Sequence, residues 1–187
     1  MTRDLILETK RLVLRRWRPD DLEPFATLNA DPRVMEFFPA VMSKDETAAM
    51  MKTIQGKIEE HGFGLWAVEL KETRELIGFV GLNVPGYPLP FSPCVEIGWR
   101  LAFPFWGRGL AQEGARAALE FGFQKLVLKQ IVSFTTENNI RSRKVMDANG
   151  MQYDSSADFD HPKLEEGHLL RRHVLYRIKS AKKGKAQ

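Results

Sequence analysis

Three short stretches of this chain carry side chains able to do chemistry. In Cys94-Val95-Glu96-Ile97-Gly98-Trp99-Arg100-Leu101 a single carboxylate, Glu96, lies among apolar neighbours. Desolvation favours the neutral acid, so its pKa is expected to rise toward neutrality, where a carboxylate can take a proton from an amine, directly or through water. A solvated strand carboxylate, or one paired with Arg100, is the alternative. The second stretch is Trp106-Gly107-Arg108-Gly109-Leu110-Ala111. Its glycines let the backbone approach a phosphate, the first N–H groups of a following helix lack partners, and the helix dipole and Arg108 add positive charge. The same glycines also suit a plain strand-to-helix turn. The third is Asn139 with Ser142 one helical turn on. Asn139 can pair with amides along an extended ligand or cap its helix. Ser142 can donate a proton or back-bond to the helix.

Two common phosphate motifs fail. No Gly-Lys-Ser/Thr closes the turn, and Gln112 occupies the third glycine position of a dinucleotide fingerprint. Trp106 to Ala111 instead resembles the pyrophosphate signature of the GCN5-related N-acetyltransferases (GNAT), Gln/Arg-x-x-Gly-x-Gly/Ala, with Trp106 where the wider family has Gln or Arg. The preceding EIGWRL and the aromatic-Trp-Gly-x-Gly form are similar to the branch of ribosomal-protein N-terminal (Rim-type) acetyltransferases. Asn139-x-x-Ser142, with Asn149-Gly150-Met151 after it, resembles the family's next segment.

The resemblance spans roughly residues 8–178 and implies acetyl-CoA as co-substrate. Trp106, Gly107, Arg108, Gly109, Leu110 and Ala111 would hold its pyrophosphate. The backbone of Trp99, Arg100 and Leu101, with Asn139 and Ser142, would hold the pantetheine arm. It implies direct attack by a primary amine, on a protein N-terminus or a small molecule, in a ternary complex. Glu96 is the expected base, and an N–H near Trp99 to Leu101 would meet the oxyanion. The family's Tyr, proton donor to the departing thiolate, is replaced by Met146, which leaves Ser142 as the substitute donor. That replacement also favours a rival reading, a catalytically weak acyl-CoA-binding sensor, against which Glu96 and Ser142 count.

Composition bounds the partners. A chain of 187 residues suits one domain with a real core. The net charge of +4 invites a nucleic-acid reading, but the last nine residues hold four lysines and no acid, so residues 1–178 carry 24 basic and 24 acidic side chains. The neutral body argues against nucleic acid, and 179–187 reads as a basic, disordered tail. Cys94 is the lone cysteine, expected as a small buried residue, and His61, His161, His168 and His173 show no metal spacing, so no metal is expected. No signal peptide or membrane-length apolar run is present, which implies a cytoplasmic protein without a membrane partner. A homodimer is compatible with the sequence.

The elements that must position these groups follow from periodicity. Residues 5–17 contain a strand through Leu12 and Leu14, and Asp20 or Asp21 can cap a helix with Leu22, Phe25 and Leu28 inward. A short piece carries Val34, Met35, Phe37 and Phe38. Ser43-Lys44-Asp45-Glu46 is a capping box opening a helix that Gly62 stops. Residues 63–70 and 75–84 read as a hairpin, followed by the strand from 94, the glycine turn and a helix from Leu110. Then come a strand over 130–136, a short helix stopped by Gly150, an extended piece at 151–153, a loop over 154–168 and a strand over 169–178. Trp17, Trp66, Phe37 and Phe38 are expected in the core or as the wall of the acceptor cleft, and the acids of 154–166 give the late loop a negative cast. The order predicts an α+β or α/β fold with a mixed sheet and helices on both faces. It is also the element order of the GNAT fold, and that resemblance implies a mixed, mostly antiparallel central sheet.

Overall fold

A computed structural model of the chain describes residues 6–180. The strands are β1 (Leu7–Glu8), β2 (Leu12–Arg15), β3 (Leu65–Leu70), β4 (Leu76–Asn83), β5 (Glu96–Leu101), β6 (Gln130–Thr136), β7 (Gln152–Tyr153), β8 (Phe159–Asp160) and β9 (Arg172–Lys179). The helices are α1 (Leu22–Asn29), α2 (Lys44–His61), α3 (Leu110–Gln124) and α4 (Ile140–Ala148). One sheet runs in the order β1-β2-β3-β4-β5-β6-β9-β7, with β8 added to β9. Every neighbouring pair is antiparallel except β5–β6. The mixed, mostly antiparallel sheet expected from the sequence is therefore the observed one.

The helices cover opposite faces. Successive strand residues point to opposite sides. On β4, Phe79 meets Phe25 of α1 edge-on at 6.1 Å, while Val80 lies beneath Gly114 of α3. Trp66 of β3, fully buried, packs edge-on against Phe121 of α3 at 5.4 Å. The α1/α2 face also buries ions. Arg15 donates both Nη atoms to Asp21 (2.8 and 2.9 Å) and Nε to Glu69 (2.8 Å). Their hydrogen bonds, Asp21 first, raise the Arg15 pKa.

Local chemistry sets the element ends. Ser43 Oγ accepts from the Glu46 N–H while Glu46 Oε2 accepts from the Ser43 N–H, and Gly62 closes α2 at φ 75°. Asp21 precedes α1 but makes no side-chain cap, because its carboxylate is committed to Arg15 and the Arg18 N–H. Residues 30–43 form turns, not a further helix. Trp17 and Trp66 are core, but Phe38 is 40% exposed and covers the Arg100 guanidinium at 4.1 Å.

The largest departures from expectation come late in the chain. The stretch read as a loop contains β8, which pairs Phe159 with His173 and Asp160 with Arg172. The last strand begins at Arg172 rather than 169, with Leu169 95% exposed. Lys179 ends that strand and the Ser180 N–H donates to Lys129 O at 3.0 Å. The rest of the expected tail, 181–187, lies outside the described residues. Three acids of the late loop are tied up, Asp154 with Arg177, Asp160 with Arg171 and Arg172, and Asp158 with the Tyr153 hydroxyl, while Glu165 and Glu166 are exposed.

Candidate active site

The parallel pair β5–β6 organises the site. Its register holds at one point, Glu96 opposite Val132, with the Val132 N–H donating to Val95 O at 2.9 Å. One step on, Ser133 Oγ reaches Ile97 O at 2.9 Å in place of a backbone rung, and the strands part. On the other side β5 stays paired with β4 to Leu101. Leu82 N–H turns to Gly64 O and Ala102 N–H reaches Ile77 O, so alternation points the peptide groups of Ile97, Trp99 and Leu101 toward the opening. Leu101 O accepts from Trp106 Nε1 at 2.7 Å. The Trp99 peptide is left bordering the gap. Arg100 serves β4 with its backbone, opposite Phe79.

Both helices that follow these strands start at the same end, because α3 follows β5 and α4 follows β6, and the strands are parallel. Ligands of such sheets lie in the crevice beyond the carboxyl ends of adjacent parallel strands. At α3, Gly107 and Gly109 both adopt φ 71°, a left-handed conformation that glycine takes at no steric cost. Gly109 is the N-cap and brings no side-chain acceptor, so the N–H groups of Leu110, Ala111 and Gln112 have no helical partner. A phosphate fits this cradle. The turn is braced from behind. Arg11 donates to Arg108 O at 2.8 Å and to Glu113 Oε2 at 2.6 Å, and Glu113 Oε1 accepts from the Arg11 N–H and the Thr9 hydroxyl. The acid in the first turn of α3 is thereby held toward β1–β2, and Arg108 is exposed.

Across the crevice, Asn139 caps α4. Its Oδ1 accepts from the Ser142 N–H at 3.1 Å and its Nδ2 donates to Thr135 Oγ1 at 2.9 Å, leaving a second lone pair on Oδ1. Ser142 is half-buried and its hydroxyl shows no bond back to the helix. Met146 is 1% exposed, a core residue. The Arg141 guanidinium lies 4.7 Å from the Trp106 ring and pairs with Glu36, which ties the two sides of the crevice together.

Glu96 lies at the foot of the opening, five residues before Leu101 and so about 17 Å down the strand. It does not pair with Arg100, which sends Nη1 to Asn29 Oδ1 at 2.7 Å beneath Phe38. Its Oε2 accepts from Asn83 Nδ2 at 3.2 Å. Burial raises its pKa from the usual 4.5 to about 7, against the hydrogen bond from Asn83 and the charge of Lys57. A group poised there can exist as base and acid near neutral pH. Cys94 precedes the strand and is half-buried, with its thiol pushed up chiefly by burial.

Sequence reasoning missed a histidine and aromatic group at the β8–β9 corner. His161 and His173, read as unclustered, have ring centroids 4.9 Å apart within a group containing Phe91, Phe134 and Phe159. The cause is the β8–β9 pairing, which brings residues twelve apart together. Tyr87 OH lies 3.0 Å from His161 Nε2. Burial, then His173 and Lys163, hold the His161 pKa down at about 4. A two-residue strand gives no period, so only the pairing itself could have revealed this group. Among the described residues no group of three or more His, Cys, Asp and Glu is placed to hold a metal ion, and no helix is long and apolar enough to cross a membrane.

Known proteins resemble this chain in sequence and in fold. A family model described as an acetyltransferase (GNAT) domain matches residues 11–152. The uncharacterized Bacillus subtilis protein YkkB is 32% identical over 148 residues, 79% of this chain and 85% of that protein. The Aspergillus fumigatus FsC-acetyl coenzyme A-N(2)-transacetylase is 30% identical over 173 residues, 87% of this chain and 73% of that protein. The solved ribosomal-protein-S5-alanine acetyltransferase of Vibrio fischeri shares the fold, with a TM-score of 0.74 at 16% identity over 96% of this chain and 98% of that one.

Proposed function

This chain belongs to the GNAT acetyltransferase family, and on that premise we propose that it moves the acetyl group of acetyl-CoA to a primary amine within a ternary complex. The observation that carries this reading is the opening between β5 and β6, with an uncapped helix start at its upper end and a carboxylate of pKa about 7 at its foot. The coenzyme supplies an activated acyl group. The N–H groups of Leu110, Ala111 and Gln112, in the turn of Trp106, Gly107, Arg108 and Gly109, receive its diphosphate. The Trp99 peptide bonds the extended arm and faces the place where charge develops on the acyl oxygen. Asn139 offers its free lone pair from the other side.

Glu96 takes the proton from the attacking nitrogen, whose electron pair forms the new N–C bond as the C–S bond breaks. The departing sulfur takes a proton from the Ser142 hydroxyl, which regains one from solvent as Glu96 releases the amine's proton to solvent. The relative from Aspergillus fumigatus, whose name specifies acetyl coenzyme A and an N(2) acceptor, supports transfer to a nitrogen, on a small-molecule amine or a protein N-terminus. A domain over residues 8–178 would contain every one of these groups.

The test is thiol release from acetyl-CoA against a panel of small amines and N-terminal peptides, beside calorimetry of coenzyme binding. Turnover that collapses in Glu96→Gln while the coenzyme still binds is the expected result. Coenzyme binding with no turnover on any amine would favour the acyl-CoA sensor instead. No coenzyme binding would overturn both.

A further inference from the structure

We propose that Lys57 of α2 sets the protonation of Glu96 through Asn83 and thereby fixes the pH range in which the acceptor amine can be deprotonated. The inference rests on the reading of Glu96 as the base. Lys57 Nζ donates to Asn83 Oδ1 at 2.8 Å and to Val84 O at 2.6 Å. Asn83, directly across from Glu96 in the β4–β5 ladder, donates Nδ2 to Glu96 Oε2 at 3.2 Å.

The chemistry of the three groups fixes this arrangement. An ammonium donates and never accepts, so it must meet the oxygen end of the Asn83 amide. That leaves the NH2 end for the carboxylate, which only accepts. With Lys57 gone, the amide can turn its oxygen toward Glu96, and the carboxylate loses a donor as well as a nearby positive charge. Both losses favour the protonated acid, the form that cannot take the amine's proton.

No other charge facing Glu96 does the same work. Tyr87 and Cys94, on the segment leading into β5, are both pushed up by burial first and then by Glu96, so they are neutral where Glu96 titrates. β6 presents Val132, which is apolar. Arg177 of β9 acts on Cys94 and is paired with Asp154. Glu60 and Lys163 flank Lys57 with opposite signs. Burial lowers the Lys57 pKa and Glu96 raises it, the reciprocal of its own effect on Glu96. Lys57 is thus a positioning residue: it holds Asn83 and biases Glu96.

The test compares Lys57→Met, which keeps the aliphatic stem, and Asn83→Leu with the unaltered chain and with Glu96→Gln. The readouts are the acid limb of kcat/KM against pH and a carbon-13 NMR titration of the Glu96 carboxylate, which needs no turnover. Both variants should move the limb and the titration to higher pH by about one unit, with coenzyme affinity within twofold of the unaltered chain. A limb and titration that stay in place in both variants overturn the inference. Glu96→Gln that keeps the acid limb overturns the reading of Glu96 as base instead, so the two failures are told apart.

Discussion

Replacing Glu96 by Gln tests one residue for activity and stability together. Loss of the base should lower kcat about 10²–10³-fold with acetyl-CoA affinity nearly unchanged, read by steady-state kinetics and calorimetry. The stability effect follows from the raised pKa, about 7 against the usual 4.5. Between those values the unfolded chain releases a proton that the native state keeps, so Glu96 costs native stability as pH rises through that window. Glu96→Gln should therefore be more stable than the unaltered chain at pH 8 by on the order of 1–2 kcal/mol and not at pH 4, measured by urea unfolding at both. Gly109 tests the cradle. A Cβ there has room, its nearest contact being Arg11 Nη2 at 3.7 Å, so the obstacle is φ 71° and not crowding. Gly109→Val should cost about 1–2 kcal/mol of stability and weaken acetyl-CoA by about tenfold or more, which calorimetry reads.

At the scale of elements, the β8–β9 corner carries an acid-sensitive device. His161 is held neutral, with a pKa of about 4 against the usual 6.5, and burial lowers His173 in the same direction. Below pH 6.5 the unfolded chain takes up protons that the native corner refuses, so stability is lost as pH falls from 6.5 toward 4. Thermal unfolding followed from pH 7 to pH 4.5 should show this loss reduced by roughly 1–2 kcal/mol in His161→Phe. The readout is the slope against pH, since the variant also removes the partner of the Tyr87 hydroxyl. The helices were easier to read from sequence than this corner. The capping box at Ser43 and the stop at Gly62 are local chemistry, whereas β8 is two residues long and exists because β9 is beside it.

The whole molecule depends on the sheet having helices on both faces, and on one of those faces it buries ions. Arg15, Asp21 and Glu69 are each at most 6% exposed. Arg15→Met leaves two buried carboxylates short of their partner and should cost about 3 kcal/mol or more, seen as a lower thermal midpoint. The KM for acetyl-CoA should not move, because the network lies on the face opposite α3. Asp21 also shows where sequence reading stops. Its position before α1 is that of a cap, but tertiary packing gives its carboxylate to an arginine on β2.

By itself the sequence determined the order of the long strands and helices, the capping box of α2, the strand running into the glycine turn, and Glu96 as the carboxylate to watch. These follow from period, backbone permissiveness and hydrophobic context, all properties of neighbours along the chain. Only the tertiary structure decided that β5 and β6 part after a single rung, that Asn83 rather than Arg100 meets Glu96, and that His161 lies against His173. Those depend on register between distant segments, and hydrogen bonds across strands are chosen by which residues end up opposite one another.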